Sequence, residues 1–158
     1  MQPSFFEWLQ NTPVGIAVGE TWFPWVESTH VLFMAVVTGS ILTVDARLLG
    51  LGFRHLRVTY IARRLLPITW IAFAGSVVTG TLMFMANATN YIHNKPFLFK
   101  MGLLLLLGLN MLYFHLLTYR SVELWDHGRP SVAARTAGLI STTLWLAVIC
   151  CGRWIGFV

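Results

Sequence analysis

The sequence predicts an all-α integral membrane protein, a bundle of four transmembrane helices. Its 158 residues are 56% hydrophobic and only 11% charged, whereas a typical soluble domain is about 25% charged. The hydrophobic residues are concentrated in four continuous runs, each long enough to cross a hydrocarbon core of about 30 Å. Polar and charged segments separate the runs. A β-barrel is disfavoured, because transmembrane strands show alternating rather than continuous hydrophobicity.

The predicted transmembrane domain takes up the whole chain, residues 1–158. Backbone groups in hydrocarbon find no water, so each run must satisfy its own hydrogen bonds as a helix. Before the first run, Phe5, Phe6 and Trp8 indicate a short amphipathic segment, residues 3–12, that lies in the membrane interface. Pro67 is expected in the first turn of the second helix. The spans are predicted at about residues 22–49, 65–88, 97–119 and 133–157.

The distribution of Lys and Arg predicts the orientation of the bundle. Eight of the eleven basic residues fall in or beside the first and third connections. The positive-inside rule places these connections in the cytoplasm. Four spans then put both termini on the non-cytoplasmic side, N-out and C-out. The eight residues are Arg47, Arg54, Arg57, Arg63, Arg64, Arg120, Arg129 and Arg135.

The net charge of +5 is explained by this topology and does not indicate nucleic-acid binding. No Lys/Arg-rich stripe with interleaved aromatic residues lies on a soluble face, so nucleic acid is excluded as a partner. Cys150 and Cys151 are adjacent inside an apolar run, and a disulfide framework is therefore not indicated.

Ionisable side chains inside the spans are the strongest functional signal, because the bilayer makes them costly. At 100° per residue, each span has one face that carries its small and polar residues, and these faces are predicted to meet in the bundle core. His115 lies deeper than His30 by roughly 17 Å along the bundle, so the two cannot ligate one haem iron. The predicted cofactor-binding cluster near the outer end consists of Glu27, His30, Asn87, Lys100 and Arg153.

Several of these residues have both a functional and a structural interpretation. His30 is either an axial haem ligand or proton-handling group, with Glu27 one turn before it to orient the ring, or a hydrogen-bonding residue between helices. Lys100 either faces a carboxylate or haem propionate or extends to the interface. Asp45 and Arg47 are expected to form an ion pair at the helix end. The candidate metal ligands are His30, His93, Met83 and His115.

Three stretches carry a resemblance to known proteins: WVESTHVLFMAVVTG, RRLLPITWIAFAGSVVTGTLMF and FLFKMGLLLLLGLN. They resemble a broad group of four-helix bacterial membrane proteins that includes the HemJ-type protoporphyrinogen oxidases and the CopD-like copper-resistance proteins. The chain is also similar to an uncharacterised family of this group with the pattern H…DxRLLG, PxxW, FxxK, N and a late GR. That pattern is matched by His30, Asp45, Arg47, Pro67, Trp70, Lys100, Asn110 and Arg153.

The resemblance implies haem-related chemistry in the bacterial inner membrane. HemJ-type proteins depend on a first-helix His and a third-helix Lys, which correspond to His30 and Lys100, whereas Asn110 stands about where they carry a further His. The implied function is that of a b-type haem protein in electron transfer or porphyrin oxidation, and a haem-dependent oxidoreductase is one form of it. Lys100 and Arg153 would then pair with the haem propionates, and the second axial position would be His93, Met83 or open.

Two alternatives stay open beside the haem hypothesis. One is a CopD-like copper-handling protein without haem, in which His30, Met34 and Met83 form a soft inward-facing site. The other is a structural membrane subunit of a larger complex. The lipid bilayer is a partner in every case. A redox partner or quinone goes with the haem hypothesis, and a homo-oligomer or larger membrane complex is compatible with all three.

Overall fold

The computed structural model describes residues 4–126 and 128–157 and is all-helical. Helix accounts for 86% of the structure, and the described residues contain no strand. Four helices are long and apolar enough to cross a membrane, so the predicted fold class is confirmed. These helices, which we call the first to fourth spans, are Pro13–Leu49, Val58–Ala86, Lys95–Thr118 and Val132–Phe157.

The first span starts much earlier than the sequence predicts, at Pro13 rather than residue 22. Thr12 caps this helix, because its side-chain oxygen accepts a hydrogen bond from the Gly15 backbone N–H at 3.1 Å. Pro13 follows the cap, where its missing N–H leaves no bond unmade. A π-helical turn, Val18–Trp22, then continues without a break into the α-helix Phe23–Leu49.

The second span also starts earlier than predicted, at Val58 rather than residue 65. Arg63 and Arg64 therefore lie inside this helix and not in the connection before it. Pro67 is inside the helix as well, so the prediction that it occupies the first turn is wrong. The helix begins at Val58 because Asp126, from the third connection, binds its first turn, a contact between residues far apart in the sequence.

A short helix, Phe5–Gln10, lies in the segment that the sequence predicts at the interface, residues 3–12. Residue 3 is outside the described residues. Ser4 and Glu7 cap this helix reciprocally: the Ser4 N–H donates to the Glu7 carboxylate at 2.7 Å, and the Glu7 N–H donates to the Ser4 hydroxyl at 3.3 Å. The Thr89 hydroxyl donates to the side-chain oxygen of Gln10 at 2.7 Å. This bond ties the short helix to the second connection.

The four spans are arranged as an open arc. The first span packs against the second and the fourth, and the fourth packs against the third. Within residues 4–126 and 128–157, the second and third spans make no comparably extended contact. The α-helical part of the third span, Lys95–Tyr113, accordingly buries only Leu107. The first span packs tightly on the second at Gly75, where an added Cβ would lie 2.6 Å from the Phe33 ring.

We call the two ends of the bundle the Asn94 end and the Arg47 end. At the Asn94 end, Asn94 accepts a bond from the Phe97 N–H at 3.0 Å and donates to the Ile155 carbonyl at 3.3 Å, which joins the third and fourth spans. The Arg47 end carries the first and third connections. Between the ends lies an apolar layer with side chains from all four spans, formed by Val37, Ala72, Leu107, Trp145 and Val148.

Arg47 is buried, with 2% of its surface exposed. Its guanidinium donates to the backbone carbonyl of Leu56 at 2.7 Å and to those of Asp126 and Gly128 at 3.4 Å. Leu56 belongs to the first connection, and Asp126 and Gly128 belong to the third. One side chain therefore holds both connections against the end of the first span.

Asp126 forms a second link between the third connection and the second span. Its carboxylate accepts bonds from the Thr59 hydroxyl and from the Thr59 backbone N–H, the latter at 3.0 Å. Thr59 lies in the first turn of the second span, where a negative charge is favoured by the helix dipole. The Arg47 end is thus held by two buried polar side chains.

Replacing Arg47 by Leu should destabilise the protein, because buried carbonyls in both connections lose their donor. We expect the free energy of unfolding to fall by about 2 kcal/mol, measured by SDS titration in mixed micelles with circular dichroism as the signal. Arg64→Leu is the matched control, since Arg64 is exposed and an exposed arginine contributes little. Equal losses in the two variants would show that Arg47 does not hold this end together.

Candidate functional site

The centre of the candidate site is His30, which lies half-buried on the first span. Its Nδ1 is 3.0 Å from the hydroxyl oxygen of Thr79 on the second span. That hydroxyl has one proton, and its oxygen is 2.8 Å from the Gly75 carbonyl, which can only accept. With the hydroxyl proton directed to the carbonyl, Nδ1 donates to Thr79, and Nε2 keeps its lone pair.

Gly80 provides the space that the His30 ring occupies. A Cβ added at Gly80 would lie 3.1 Å from Cε1 of His30 and 3.5 Å from its Nδ1. Any larger residue at this position would push against the ring. The second span thus fixes His30 in two ways, through the hydroxyl of Thr79 and through the missing side chain of Gly80.

Lys100, the second predicted residue of the candidate site, is half-buried on the third span. Its ammonium nitrogen is 3.7 Å from where a Cβ would stand on Gly152 of the fourth span. This contact places Lys100 beside the fourth span, and its proximity to His30 stays a prediction.

Apolar layers flank the His30–Lys100 pair along the bundle axis. Toward the Arg47 end lies the central apolar layer, whose members Val37 and Leu107 are two helical turns from His30 and Lys100. Toward the Asn94 end, three aromatic rings stack on one another. Ring centroids are 5.6 Å apart for Phe84 and Phe97, 5.2 Å for Tyr91 and Phe97, and 6.3 Å for Phe84 and Tyr91. The polar pair is thus enclosed between apolar surfaces.

Glu27 and Asn87 are two further predicted residues of the site. Glu27 is exposed. Burial raises the pKa of Tyr91, and the negative charge of Glu27 raises it further. The side-chain oxygen of Asn87 accepts a bond from Asn90 at 2.7 Å. Neither residue has a described hydrogen bond to His30.

Arg153 and His93 have local partners at the Asn94 end. Arg153 is exposed, and its guanidinium carbon lies 4.9 Å from the centroid of the Phe157 ring. His93 is exposed as well, and its Nδ1 is 3.0 Å from the Thr89 carbonyl, one turn earlier in the chain. The structure therefore does not bring either residue into contact with His30 or Lys100.

His115 is exposed, and the prediction that it faces the bundle core is wrong. Its Nδ1 lies 3.0 Å from the carbonyl of Met111 on its own helix. Met111, one turn earlier in the α-helical part of the span, is exposed as well, because the third span packs mainly against the fourth and leaves this face uncovered. Thr118 is buried instead.

Met83 is half-buried on the second span, one turn beyond Thr79 toward the Asn94 end. It is the candidate metal ligand nearest to His30 along the helices. The described residues contain no group of three or more His, Cys, Asp or Glu side chains placed to hold a metal ion.

Asp45 and Arg47, expected as an ion pair, have separate partners. Asp45 is 4% exposed, and its carboxylate accepts a bond from the Thr142 hydroxyl of the fourth span at 3.4 Å. Arg47 binds the two connections. Sequence reasoning also missed Thr79, although its position three residues after Ser76 places the two hydroxyl groups on one face of the helix. The pairing of Thr59 with Asp126 has no signal in the sequence.

Residues 5–158 match the model of a protein family described as a family of unknown function (DUF6644). The chain belongs to this family. No curated protein and no solved structure matches it. The family description names no activity, so the likeness to HemJ-type oxidases and CopD-like proteins stays a prediction.

The Thr79 hydroxyl should determine the tautomer of His30. In ¹⁵N-histidine NMR of the detergent-solubilised protein, we expect the His30 ring, identified by the loss of its signals in His30→Ala, to be protonated at Nδ1 and unprotonated at Nε2. Thr79→Val should move this Nδ1 signal and reduce stability by about 1 kcal/mol, since one hydrogen bond is lost. Thr81→Val is the control, because the exposed Thr81 bonds only to Val77 of its own helix. A wild-type His30 protonated at Nε2 would contradict the assignment.

Proposed function

We propose that the protein binds a b-type haem in the bacterial inner membrane and acts in electron transfer or porphyrin oxidation, with His30 as an axial ligand. The observation that carries the proposal is the fixed His30 ring, held at Nδ1 by Thr79 and left with a lone pair on Nε2. A metal-binding histidine characteristically donates its other nitrogen to a protein acceptor, which fixes the tautomer and the ring orientation.

The surroundings of His30 support a haem group in one further respect. The apolar layers on both sides, the central layer and the aromatic stack, suit the apolar macrocycle. Haem is commonly held between the helices of a membrane or soluble bundle.

Lys100 would neutralise a haem propionate. It is a half-buried cation in the layer of His30, and no described carboxylate lies within ion-pair distance of it, so an anionic ligand group would balance its charge. Arg153, predicted for the same role, stands at the exposed end of the fourth span with Phe157. We therefore assign the propionate interaction to Lys100.

A bound haem would supply one-electron chemistry, and the residues of this chain would bind, orient and shield it. Thr79 would orient the ligand ring, and the aromatic stack of Phe84, Tyr91 and Phe97 would limit access of water from the Asn94 end. Met83 would hold the iron as a second residue in preference to His93, because Met83 is half-buried and His93 is exposed.

The first test is a visible spectrum of the detergent-purified protein, oxidised and dithionite-reduced. We expect a Soret band and, on reduction, α and β bands typical of b-type haem. His30→Ala should lower the haem content on the order of tenfold, as loss of a ligand or of its orienting partner does at metal sites. His93→Ala and His115→Ala are matched controls that should leave the spectrum unchanged, because both residues are exposed and their rings contact backbone carbonyls one turn earlier in the chain rather than residues of the candidate site.

Two results of this experiment would refute the proposal. One is a colourless protein from cells supplied with haem. The other is equal haem loss in His30→Ala and His115→Ala, which would mean that the spectrum reflects nonspecific binding. Circular dichroism of each variant excludes unfolding as the cause.

The orientation is a further part of the proposal: the Arg47 end faces the cytoplasm. Its support is the eight of eleven basic residues in and beside the first and third connections. Alkaline phosphatase fused after residue 158 should therefore be active, and green fluorescent protein at the same point should be dark. A fusion at Gly128, in the third connection, should give the opposite pair of signals. The reverse pattern at both sites would overturn the orientation.

A further inference from the structure

A cleft of about 490 Å³ lies at the Arg47 end, where the first connection enters the second span. None of its lining residues is acidic, and two of them are arginines, so the cleft carries a net positive charge. The proposed haem site uses none of these residues. They are His55, Leu56, Arg57, Thr59, Tyr60 and Arg63.

The arginine side chains of the cleft are available for a ligand. Arg57 is the N-cap residue of the second span, but its side chain makes no capping bond, and Arg57 and Arg63 are both exposed. The guanidinium of Arg64 lies 5.8 Å from the centroid of the Tyr60 ring, which brings a third guanidinium close to the cleft. Guanidinium groups bind phosphate oxygens with two parallel hydrogen bonds.

The walls of the cleft are fixed to the bundle. The Leu56 carbonyl is held by Arg47 at 2.7 Å, and Thr59 is held by Asp126. Since Asp126 already binds the first turn of the second span, the attraction for an anion comes from the arginines and not from the helix terminus. A rigid wall lowers the cost of ordering the site when a ligand binds.

Apolar residues of the first connection adjoin this basic cleft. Leu51 is 79% exposed and Phe53 is 46% exposed, although both precede the start of a membrane span by only a few residues. Exposed apolar groups beside basic ones are typical of segments at the boundary of headgroups and acyl chains. A soluble phosphate gains nothing from this apolar surface, whereas a phospholipid covers it.

We propose that the cleft binds the phosphate headgroup of an anionic phospholipid. Arg57 and Arg63 hold the phosphate, and the acyl chains lie against the apolar surface near Leu51 and Phe53. Basic pockets of this kind at the ends of membrane helices recognise anionic headgroups. The inference does not depend on whether haem is bound.

Native mass spectrometry of the detergent-solubilised protein tests the site with phosphatidylglycerol and phosphatidylcholine as probes. Arg57→Gln/Arg63→Gln should weaken phosphatidylglycerol binding on the order of 30-fold, from about fivefold for each arginine. Arg120→Gln/Arg135→Gln removes the same charge from exposed residues at the same end and should change binding less than about threefold, because a micelle of neutral detergent has no membrane surface potential.

If circular dichroism shows that the double variant is unfolded, the single variant Arg63→Gln replaces it in the test. Arg63→Gln should weaken phosphatidylglycerol binding about fivefold. Equal losses in the cleft and control variants would overturn the proposal, since they indicate a general charge effect. Equal binding of phosphatidylcholine would also overturn it, as would complete displacement of the lipid by excess inorganic phosphate, which identifies a free-phosphate site.

Discussion

Hydrocarbon offers a protein no hydrogen-bond partner, and this constraint governs the polar side chains of all four spans. Most hydroxyl groups bond to a carbonyl four residues earlier on their own helix, as Thr43 does with Gly39 and Thr81 with Val77. Thr79 makes such a bond and also meets His30 on another span. Thr69 likewise bonds to Leu65 of its own helix and lies 2.7 Å from the Ser40 hydroxyl of the first span. The candidate site is therefore one of the places where a residue already satisfied within its helix meets a second partner across the bundle.

The number and type of the spans were predictable from the sequence, because crossing a bilayer sets a minimum apolar length that each run meets by itself. The starting points of the first two spans were not. Pro13 looks like a helix breaker in the sequence, although proline is well tolerated at the start of a helix. At Val58 the helix depends on Asp126, and no local pattern connects residues separated by most of two spans. The open-arc arrangement was not predicted either, because periodicity indicates which face of a helix is buried but not which helices are its neighbours.

The candidate site was predictable only in part, for similar reasons. His30 and Lys100 were expected in one layer from their depth along straight helices, and that expectation stays a prediction. The same reasoning failed for His115, because the third span packs mainly against the fourth and leaves the face of Met111 and His115 exposed. Depth along the helices also did not predict the contact of Arg153 with the Phe157 ring. Both residues lie in the last turns of the fourth span, where an exposed side chain can adopt several conformations.

The bonds of Arg47 have a consequence for biosynthesis. The ribosome completes the first two spans long before it reaches residues 126 and 128, whose carbonyls accept two of the three bonds of this guanidinium. Until then the nascent hairpin carries an arginine with only the Leu56 carbonyl as its partner, hydrated at the edge of the bilayer. Tertiary structure at this end consequently forms late in translation, when the second pair of spans arrives and withdraws that charge from water.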